Sequence, residues 1–221
     1  MSQFHIAIDG PAGSGKSTIS ALVAENLQFI HIDTGAMYRA VTLAAIEKNI
    51  DLADESAYVF LETTDIKYVN DAIYLDDKDV SNLIRSDQVT SNVSQVSAHP
   101  YVRHKMVDIQ RNAAKGEKVV MDGRDIGTVV LPNADVKIFL TADVLERAKR
   151  RYGEYLRKGR IERMDDVIEE IRVRDHKDST RKESPLRKAD DAIVLDTTYL
   201  TIDEVVMKII DIVKKEHGYG L

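Results

Sequence analysis

A glycine-rich segment near the start of the chain, Gly10-Pro-Ala-Gly-Ser-Gly-Lys-Ser17, most narrowly limits how this sequence can fold. Its pattern is glycine, four residues, glycine, lysine and serine, and it stands between an apolar run and a helical pattern. Glycines let the backbone wrap closely around an anion, and the N-terminus of the following helix adds a favourable dipole. The segment therefore predicts a strand, a phosphate-binding loop (P-loop) and a helix in succession.

The chemistry of this loop predicts a role for each of its polar side chains. Lys16 would neutralise the β- and γ-phosphates of a bound triphosphate, and the Ser17 hydroxyl would be a ligand of Mg²⁺. Backbone N–H groups of the other residues would surround the phosphates. The expected nucleotide-binding residues of the loop are Gly10, Pro11, Ala12, Gly13, Ser14, Gly15, Lys16, Ser17 and Thr18.

Short apolar runs alternate with longer amphipathic segments over most of the chain. The runs are rich in Val and Ile, as expected of parallel strands that are covered on both faces. Strands that alternate with helices predict a doubly wound α/β sheet. The expected strands are residues 4–9, 29–33, 118–122, 136–140 and 192–195, and the expected helices are residues 16–27, 35–49, 99–115, 143–158, 165–177 and 201–215.

One stretch interrupts this alternation. Residues 66–69 and 72–75 flank Asn70-Asp71, a tight-turn pair, and residues 78–80 follow as a further short strand. A hairpin does not belong in a parallel sheet. Residues 63–97 are therefore predicted to form an inserted lobe that contacts a ligand, with residues 1–62 and 98–221 as the core domain.

Composition limits the function classes. The 221 residues carry a formal net charge of −6, which argues against a protein that coats nucleic acid. The absence of cysteine excludes a disulfide framework and a thiolate metal site. No apolar run approaches the roughly 20 residues needed to cross a bilayer, and the first strand begins too early for a signal peptide. We expect a cytoplasmic protein without membrane or nucleic-acid partners.

Arginines distinguish between the classes of protein that share such a loop. A guanine-nucleotide switch usually carries an Asn-Lys-x-Asp motif, and no Asn-Lys pair occurs here. Transfer between two phosphate-bearing substrates gathers many negative charges, which arginines in the same chain would neutralise. The arginines in question are Arg39, Arg124, Arg147, Arg151, Arg160, Arg174 and Arg181. They favour a kinase over a switch or an ATPase.

Four segments, in this order, resemble the signature segments of the bacterial cytidylate kinases, a family of nucleoside monophosphate kinases. They are Asp9-Gly-Pro-Ala-Gly-Ser-Gly-Lys-Ser17, Asp33-Thr-Gly-Ala-Met-Tyr-Arg39, Asp122-Gly-Arg-Asp-Ile-Gly-Thr128 and Arg174-Asp-His-Lys-Asp-Ser-Thr-Arg181. The resemblance extends over essentially the whole chain and includes the insertion. It implies transfer of a phosphoryl group from ATP to CMP or dCMP, with Mg²⁺, on a five-stranded parallel sheet of order 2-3-1-4-5.

The resemblance also implies which residues bind the acceptor. Asp125 would accept from the cytosine amino group, while Arg103 and Ser94 complete the contacts with the base; a carboxylate is the natural partner of that amino group. The acceptor phosphate would lie against Arg39, Arg124 and Arg181. Arg174 and Asp178 would hold the ribose, and Thr34, with Asp33, would position the phosphate or a metal-bound water.

The basic stretch from about residue 147 to 165 resembles the lid of nucleoside monophosphate kinases. Arg147 and Arg151 lie one helical turn apart and would clamp ATP, and Gly153 and Gly159 would be hinges. The expected catalytic residues are Lys16, Arg124, Arg151 and Arg181. UMP, AMP or another small acceptor stays open as an alternative, and so, in another class, does an ATPase or switch. The even spread of charge outside the lid predicts a monomer.

Overall fold

A computed structural model describes residues 3–69 and 71–217, in which helices and strands alternate as the sequence predicts. The strands are β1 (Phe4–Asp9), β2 (Ile30–Asp33), β3 (Ile66–Val69), β4 (Ala72–Leu75), β5 (Lys78–Asp79), β6 (Lys118–Gly123), β7 (Val136–Thr141) and β8 (Ile193–Asp196). The α-helices are α1 (Lys16–Leu27), α2 (Thr34–Glu47), α3 (Asp87–Val96), α4 (Pro100–Ala114), α5 (Val144–Arg157), α6 (Met164–Thr180) and α7 (Ile202–His217).

Five strands form one parallel sheet in the order β2-β6-β1-β7-β8, which is the predicted order 2-3-1-4-5 of the core strands. In its register, Ile8 of β1 pairs with Asp122 of β6, and Asp33 of β2 pairs with the same residue. The carboxyl ends of these strands therefore meet at one edge. Ligands of open α/β sheets bind at that edge, where the strand order reverses.

Alternate side chains of the strands build two cores, one on each face of the sheet. Val119 and Met121 of β6 pack towards α2 and α4, whereas Val120 packs towards α1 and α7. These side chains are fully buried. Both faces of the sheet are thus covered by helices, which explains the unbroken apolar runs of its strands.

The insertion is a three-stranded antiparallel sheet, β3-β4-β5, followed by α3. The predicted strands of the hairpin are confirmed, and Asn70 of the predicted turn lies outside the described residues. Ile73 of β4 and Val89 of α3 belong to the same buried core as Val41 of α2. The insertion therefore packs on α2 and shares the hydrophobic core of one sheet face.

Four short elements were absent from the sequence prediction. They are α3, two 3₁₀ helices at Glu55–Glu62 and Leu83–Arg85, and a π-helical turn at Ile126–Val130. In α3 the polar residues outnumber the apolar ones, and Val89, Val93 and Val96 alone are buried.

Within residues 3–69 and 71–217, no helix is both long enough and apolar enough to cross a membrane.

Gly10 is required by the close approach of β7 to the loop. A Cβ atom at this position would overlap the Leu140 carbonyl oxygen, which belongs to the backbone and cannot turn away. We expect Gly10→Ala to lower the free energy of unfolding by roughly 1–3 kcal/mol, measured by urea denaturation.

Gly153→Ala is the matched control. Gly153 lies inside α5, and the nearest atom to its added Cβ is Arg157 Nη1 at 3.6 Å. The free energy of unfolding of this variant should rise by about 0.5–1 kcal/mol, because alanine loses less conformational entropy than glycine when it enters a helix. Equal urea midpoints for the two variants would contradict the steric argument.

Candidate active site

A cleft of about 770 Å³ opens at the carboxyl edge of the sheet. Its walls come from the glycine-rich loop, the N-terminus of α2, the insertion and the helices α5 and α6. Sixteen predicted site residues line it, namely Ala12, Gly13, Gly15, Lys16, Ser17, Thr18, Thr34, Arg39, Ser94, Arg103, Arg124, Asp125, Arg151, Arg174, Asp178 and Arg181. The remaining predicted residues, Gly10, Pro11, Ser14 and Arg147, lie outside the lining.

Lys16 lies at the start of α1, where the glycine-rich loop turns into the helix. Gly13 and Gly15 have φ values of 72° and 85°, a region that residues with a Cβ rarely adopt. The Lys16 ammonium donates to the Pro11 carbonyl at 3.2 Å and is only 9% exposed. Its burial, together with the nearby charge of Arg124, lowers the pKa of Lys16 to about 7. A bound anion would relieve this unfavourable environment.

Arg147 supports the loop instead of facing the cleft. Its Nη1 donates to the Ala12 carbonyl at 2.9 Å and to the Asp175 carboxylate, and its Nε donates to the Ala142 carbonyl. Asp175 also accepts from the Ala12 N–H at 3.0 Å. Arg147 is buried by these bonds. The structure thus differs from the expectation that Arg147 clamps ATP, because the guanidinium is already occupied by the backbone beneath the loop.

Oxygen ligands suited to Mg²⁺ meet on one side of the cleft. The Ser17 hydroxyl donates to Asp122 Oδ2 at 2.8 Å, so a hydroxyl and a carboxylate lie side by side next to the loop. Among the described residues no group of three or more His, Cys, Asp or Glu side chains could hold a metal alone. Mg²⁺ in phosphate sites commonly takes one or two protein ligands, with phosphates and waters as the rest. The pair fits that ion.

His31 of β2 lies beside this pair. Its Nε2 is 2.9 Å from Asp122 Oδ1, and its Nδ1 is 2.9 Å from Asp71 Oδ1. Burial of His31 opposes its protonation, but the hydrogen bonds with Asp122 and Asp71 outweigh it and raise its pKa above the usual value.

Several arginines line the cleft. Arg39 pairs with Asp33 at 3.1 Å, and Arg124 pairs with Asp178 at 2.8 Å. Burial would raise the pKa of Asp178, but Arg124 and Arg174 outweigh it and hold that pKa below its usual value. The Nε atoms of Arg39 and Arg174 are buried without a hydrogen-bond partner among the described residues. Such donors fit an anionic ligand.

Burial and the neighbouring Arg124 lower the pKa of Arg174 to about 10, so this guanidinium stays charged at neutral pH. It precedes Asp175 on α6 and lies one helical turn before Asp178, because α6 continues to Thr180. No ion pair joins Arg174 to Asp178 in the described part of the chain, where Asp178 bonds to Arg124 instead.

A buried ion pair also lines the cleft. Arg103 and Asp125 are 1% and 3% exposed, and Arg103 Nη2 donates to Asp125 Oδ2. The Arg103 guanidinium lies 5.2 Å from the centre of the Tyr38 ring. Arg181 approaches Asp125 Oδ1 at 3.7 Å, while its own Nε and Nη2 donate to the Ser184 carbonyl. The two residues expected to contact a base therefore also contact each other.

Asp9 fixes the loop that carries Asp125. Its two carboxylate oxygens accept from the N–H groups of Ile126 and Gly127, each at 2.8 Å. Burial nevertheless raises the pKa of Asp9 to about 7. The Asp125 backbone is thus held to the end of β1.

The side chains of Thr34 and Asp33 form hydrogen bonds with the protein backbone. The Thr34 hydroxyl donates to the Asp122 carbonyl at 2.7 Å, and Asp33 accepts from the Ala36 N–H at the start of α2. Both are buried. Their hydrogen bonds join α2 to the ends of β2 and β6 and hold both side chains in the lining of the cleft, so their expected role at a phosphate or a metal-bound water stays a prediction.

A second cavity, of about 450 Å³, lies beside the glycine-rich loop. Gly13, Gly15 and Thr18 line it together with residues of α5 and of the segment after β8, including Gly153, Thr197 and Thr201. Arg150 spans it, because its guanidinium donates to the Ser14 carbonyl at 3.2 Å and to the Thr197 carbonyl at 2.7 Å.

The sequence prediction missed Arg150, Tyr38, His31 and the segment after β8. Arg150 stands next to Arg151 on the basic face of α5, so the doubled arginine was a usable signal. Tyr38 lies inside one of the quoted segments. His31 had no signal, because a single histidine in an apolar run is ordinarily a core residue.

Comparisons with known proteins agree on one family. A family model described as cytidylate kinase matches residues 6–215. The cytidylate kinase of Acholeplasma laidlawii is 56% identical over 218 residues, covering 99% of this chain and 98% of that protein. That of Lactobacillus johnsonii is 54% identical, with 96% and 94% covered, and that of Halalkalibacterium halodurans is 50% identical, with 97% and 99% covered.

Two solved structures share the fold at low sequence identity. An uncharacterized protein of Eubacterium ventriosum has a TM-score of 0.55 at 14% identity, covering 96% of this chain and 99% of that one. A protein of Thermus thermophilus has a TM-score of 0.51 at 20% identity, with both chains fully covered. These likenesses concern the fold alone.

Proposed function

This chain belongs to the cytidylate kinase family, and we propose that its cleft binds the acceptor nucleotide opposite the glycine-rich loop, which holds the donor. The protein is a phosphotransferase that moves a phosphoryl group from ATP to CMP and dCMP. The observation that carries the assignment of residues is that Arg39, Arg124 and Arg174 line the same cleft as Lys16, with Arg124 and Arg174 close enough to lower the pKa of Lys16.

The acceptor's base contacts the buried pair Arg103 and Asp125. A cytosine presents an amino donor beside two acceptors, which complement a carboxylate and a guanidinium in one plane. Ser94 of α3 lines the same cleft. Uracil would turn a carbonyl towards Asp125, and a buried polar site rejects such a mismatch strongly.

The acceptor's phosphate lies against Arg39, Arg124 and Arg181, which bind phosphate oxygens in a forked geometry that lysine cannot reproduce. Arg174 and Asp178 bind the ribose. The unpartnered Nε atoms of Arg39 and Arg174 support this arrangement, because both are buried donors that an anion or a hydroxyl would satisfy.

ATP occupies the loop and the second cavity. Its phosphates accept hydrogen bonds from the backbone N–H groups of the loop and from the ammonium of Lys16. The adenine enters the cavity between Gly153 and Thr201. Arg151 of α5 lines the cleft and neutralises charge on the transferring group. Arg147 holds the loop from beneath.

Transfer then requires positioning and charge neutralisation, without an essential general base. The attacking phosphate oxygen is already anionic, so no proton must be removed from it. Mg²⁺, when bound by Ser17 and Asp122, would neutralise the donor phosphates. The arginines hold the two nucleotides in line and exclude water together with the lid, which favours transfer over hydrolysis.

A panel of acceptors tests this function. With ATP and Mg²⁺ we expect rapid ADP formation with CMP or dCMP, much slower formation with UMP or AMP, and almost none without an acceptor. A coupled assay for ADP, with a separate assay for inorganic phosphate, measures both outputs. Phosphate release that does not depend on any acceptor would identify an ATPase or switch instead, and an equal rate with UMP would remove the base assignment.

A further inference from the structure

A chain of hydrogen bonds joins the insertion to the loop through β2 and β6. Asp71, in the hairpin turn just before β4, bonds to His31 Nδ1, and His31 Nε2 bonds to Asp122 Oδ1. The other oxygen of Asp122 accepts from the Ser17 hydroxyl. Two elements distant in sequence, the hairpin and the glycine-rich loop, are thereby connected by four side chains.

The middle of this series of hydrogen bonds is buried, and its outer end at Asp71 is exposed. The side chains of His31 and Asp122 are 7% and 1% exposed, whereas that of Asp71 is 67% exposed. Buried hydrogen bonds are poorly replaced by water, so the orientation of the Asp122 carboxylate depends on the imidazole.

Tyr68 of β3 holds the hairpin end in place. Its ring meets His31 edge to face at 5.9 Å, and its hydroxyl donates to Asp71 at 3.3 Å. His31, Tyr68 and Asp71 all line the cleft on the side of Ser17 and Asp122. The imidazole of His31 therefore contacts the hairpin at two points, Tyr68 and Asp71.

We propose that His31 is a positioning residue that couples the seating of the insertion to the orientation of Asp122, and so to binding of the divalent cation. The inference rests on the proposed role of Ser17 and Asp122. Outer-shell partners that orient a carboxylate ligand commonly change metal affinity by about 10–100-fold when removed. Since the insertion also carries Ser94, binding of the acceptor would change the affinity for the cation, and the reverse, by the same factor.

Two substitutions of His31 separate its two bonds. The amide nitrogen of asparagine lies near the position of Nδ1, and that of glutamine lies near the position of Nε2. His31→Asn should therefore keep the bond with Asp71 and lose the bond with Asp122, whereas His31→Gln should do the opposite. Asp71→Ala removes the exposed carboxylate at the outer end of this series of hydrogen bonds and leaves the buried bonds of His31 with Asp122 and of Asp122 with Ser17 in place.

The experiment measures binding of Mn²⁺, by electron paramagnetic resonance, to the enzyme with a nonhydrolysable ATP analogue, with and without CMP. We expect His31→Asn to weaken Mn²⁺ about 10-fold and His31→Gln to stay near the parent. We expect Asp71→Ala to abolish the effect of CMP on Mn²⁺ affinity. Urea midpoints confirm that each variant is folded.

Two results would overturn the inference: equal Mn²⁺ affinity in His31→Asn and His31→Gln, or an undiminished effect of CMP in Asp71→Ala. Ser17→Ala and Asp122→Asn separate this failure from failure of the proposed metal site. If both leave Mn²⁺ binding unchanged, the cation lies elsewhere. If they weaken it and His31→Asn does not, the site stands and the coupling through His31 is wrong.

Discussion

Lys16→Ala should reduce the rate of phosphoryl transfer by about 10²–10³-fold or more while the protein stays folded. Lys16 lines the cleft next to the glycine-rich loop, and among the described residues Lys158 is the only other lysine in that lining. In the proposed mechanism Lys16 stabilises charge on the transferring phosphoryl group in a site shielded from water, where a preorganised positive charge has its largest effect. Steady-state kinetics with ATP and CMP measure the loss.

The variant should not be less stable than the parent. Burial lowers the pKa of Lys16 to about 7, so the free protein holds this ammonium at a cost that alanine would remove. Lys214→Ala is the control, because Lys214 is exposed on α7, far along the chain from the cleft. Near-normal turnover of Lys16→Ala would remove the loop from the mechanism.

Asp125→Ala should change both specificity and stability. Discrimination between CMP and UMP should fall by about 1–3 kcal/mol, the usual contribution of a specific base contact. The free energy of unfolding should fall by about 3–5 kcal/mol, because Arg103 would be left as a buried charge without its carboxylate. The ratio of kcat/KM for CMP and UMP measures the first effect, and it is independent of the fraction of folded enzyme.

Two further variants refine the Asp125 experiment. Asp125→Asn keeps the shape and can turn an amide N–H₂ towards the carbonyl of uracil, so its preference should move further towards UMP. Asp211→Ala removes an exposed carboxylate of α7 and should leave the ratio unchanged. If the ratio for Asp125→Ala equals that of the parent, Asp125 does not read the base, and its role is confined to the buried pair.

The order of the main sheet and most of its helices could be predicted because both depend on local patterns. Residues 16–27 match α1 at both ends, since the glycine-rich loop fixes where the helix begins. The helix α3 was missed although Val89, Val93 and Val96 have helical spacing, because valine and the polar residues Thr, Ser and Asn between them have low helix propensity. The π-helical turn at Ile126–Val130 depends on hydrogen bonds with Asp9, more than a hundred residues away.

The site shows the same limit. Motif residues such as Lys16, Arg124 and Asp178 reach the cleft, but sequence spacing does not reveal which arginine of a helix faces a ligand. Arg147 and Arg151 lie on one face of α5, yet Arg147 is bound to the backbone below the loop and Arg151 lines the cleft. The difference arises from Asp175 of α6, a partner that only the packing of α5 on α6 supplies.

The bonds of Arg147 and Asp175 with Ala12 also limit how a lid can travel. The first turn of α5 and the middle of α6 are hydrogen-bonded to the glycine-rich loop, so they must stay with the sheet when the enzyme opens. Only the tip beyond them, around Gly159, where φ is 71°, is free of that anchor. Product release in this protein would then need movement of this tip alone, while the glycine-rich loop and the helices bound to it keep their places around ADP.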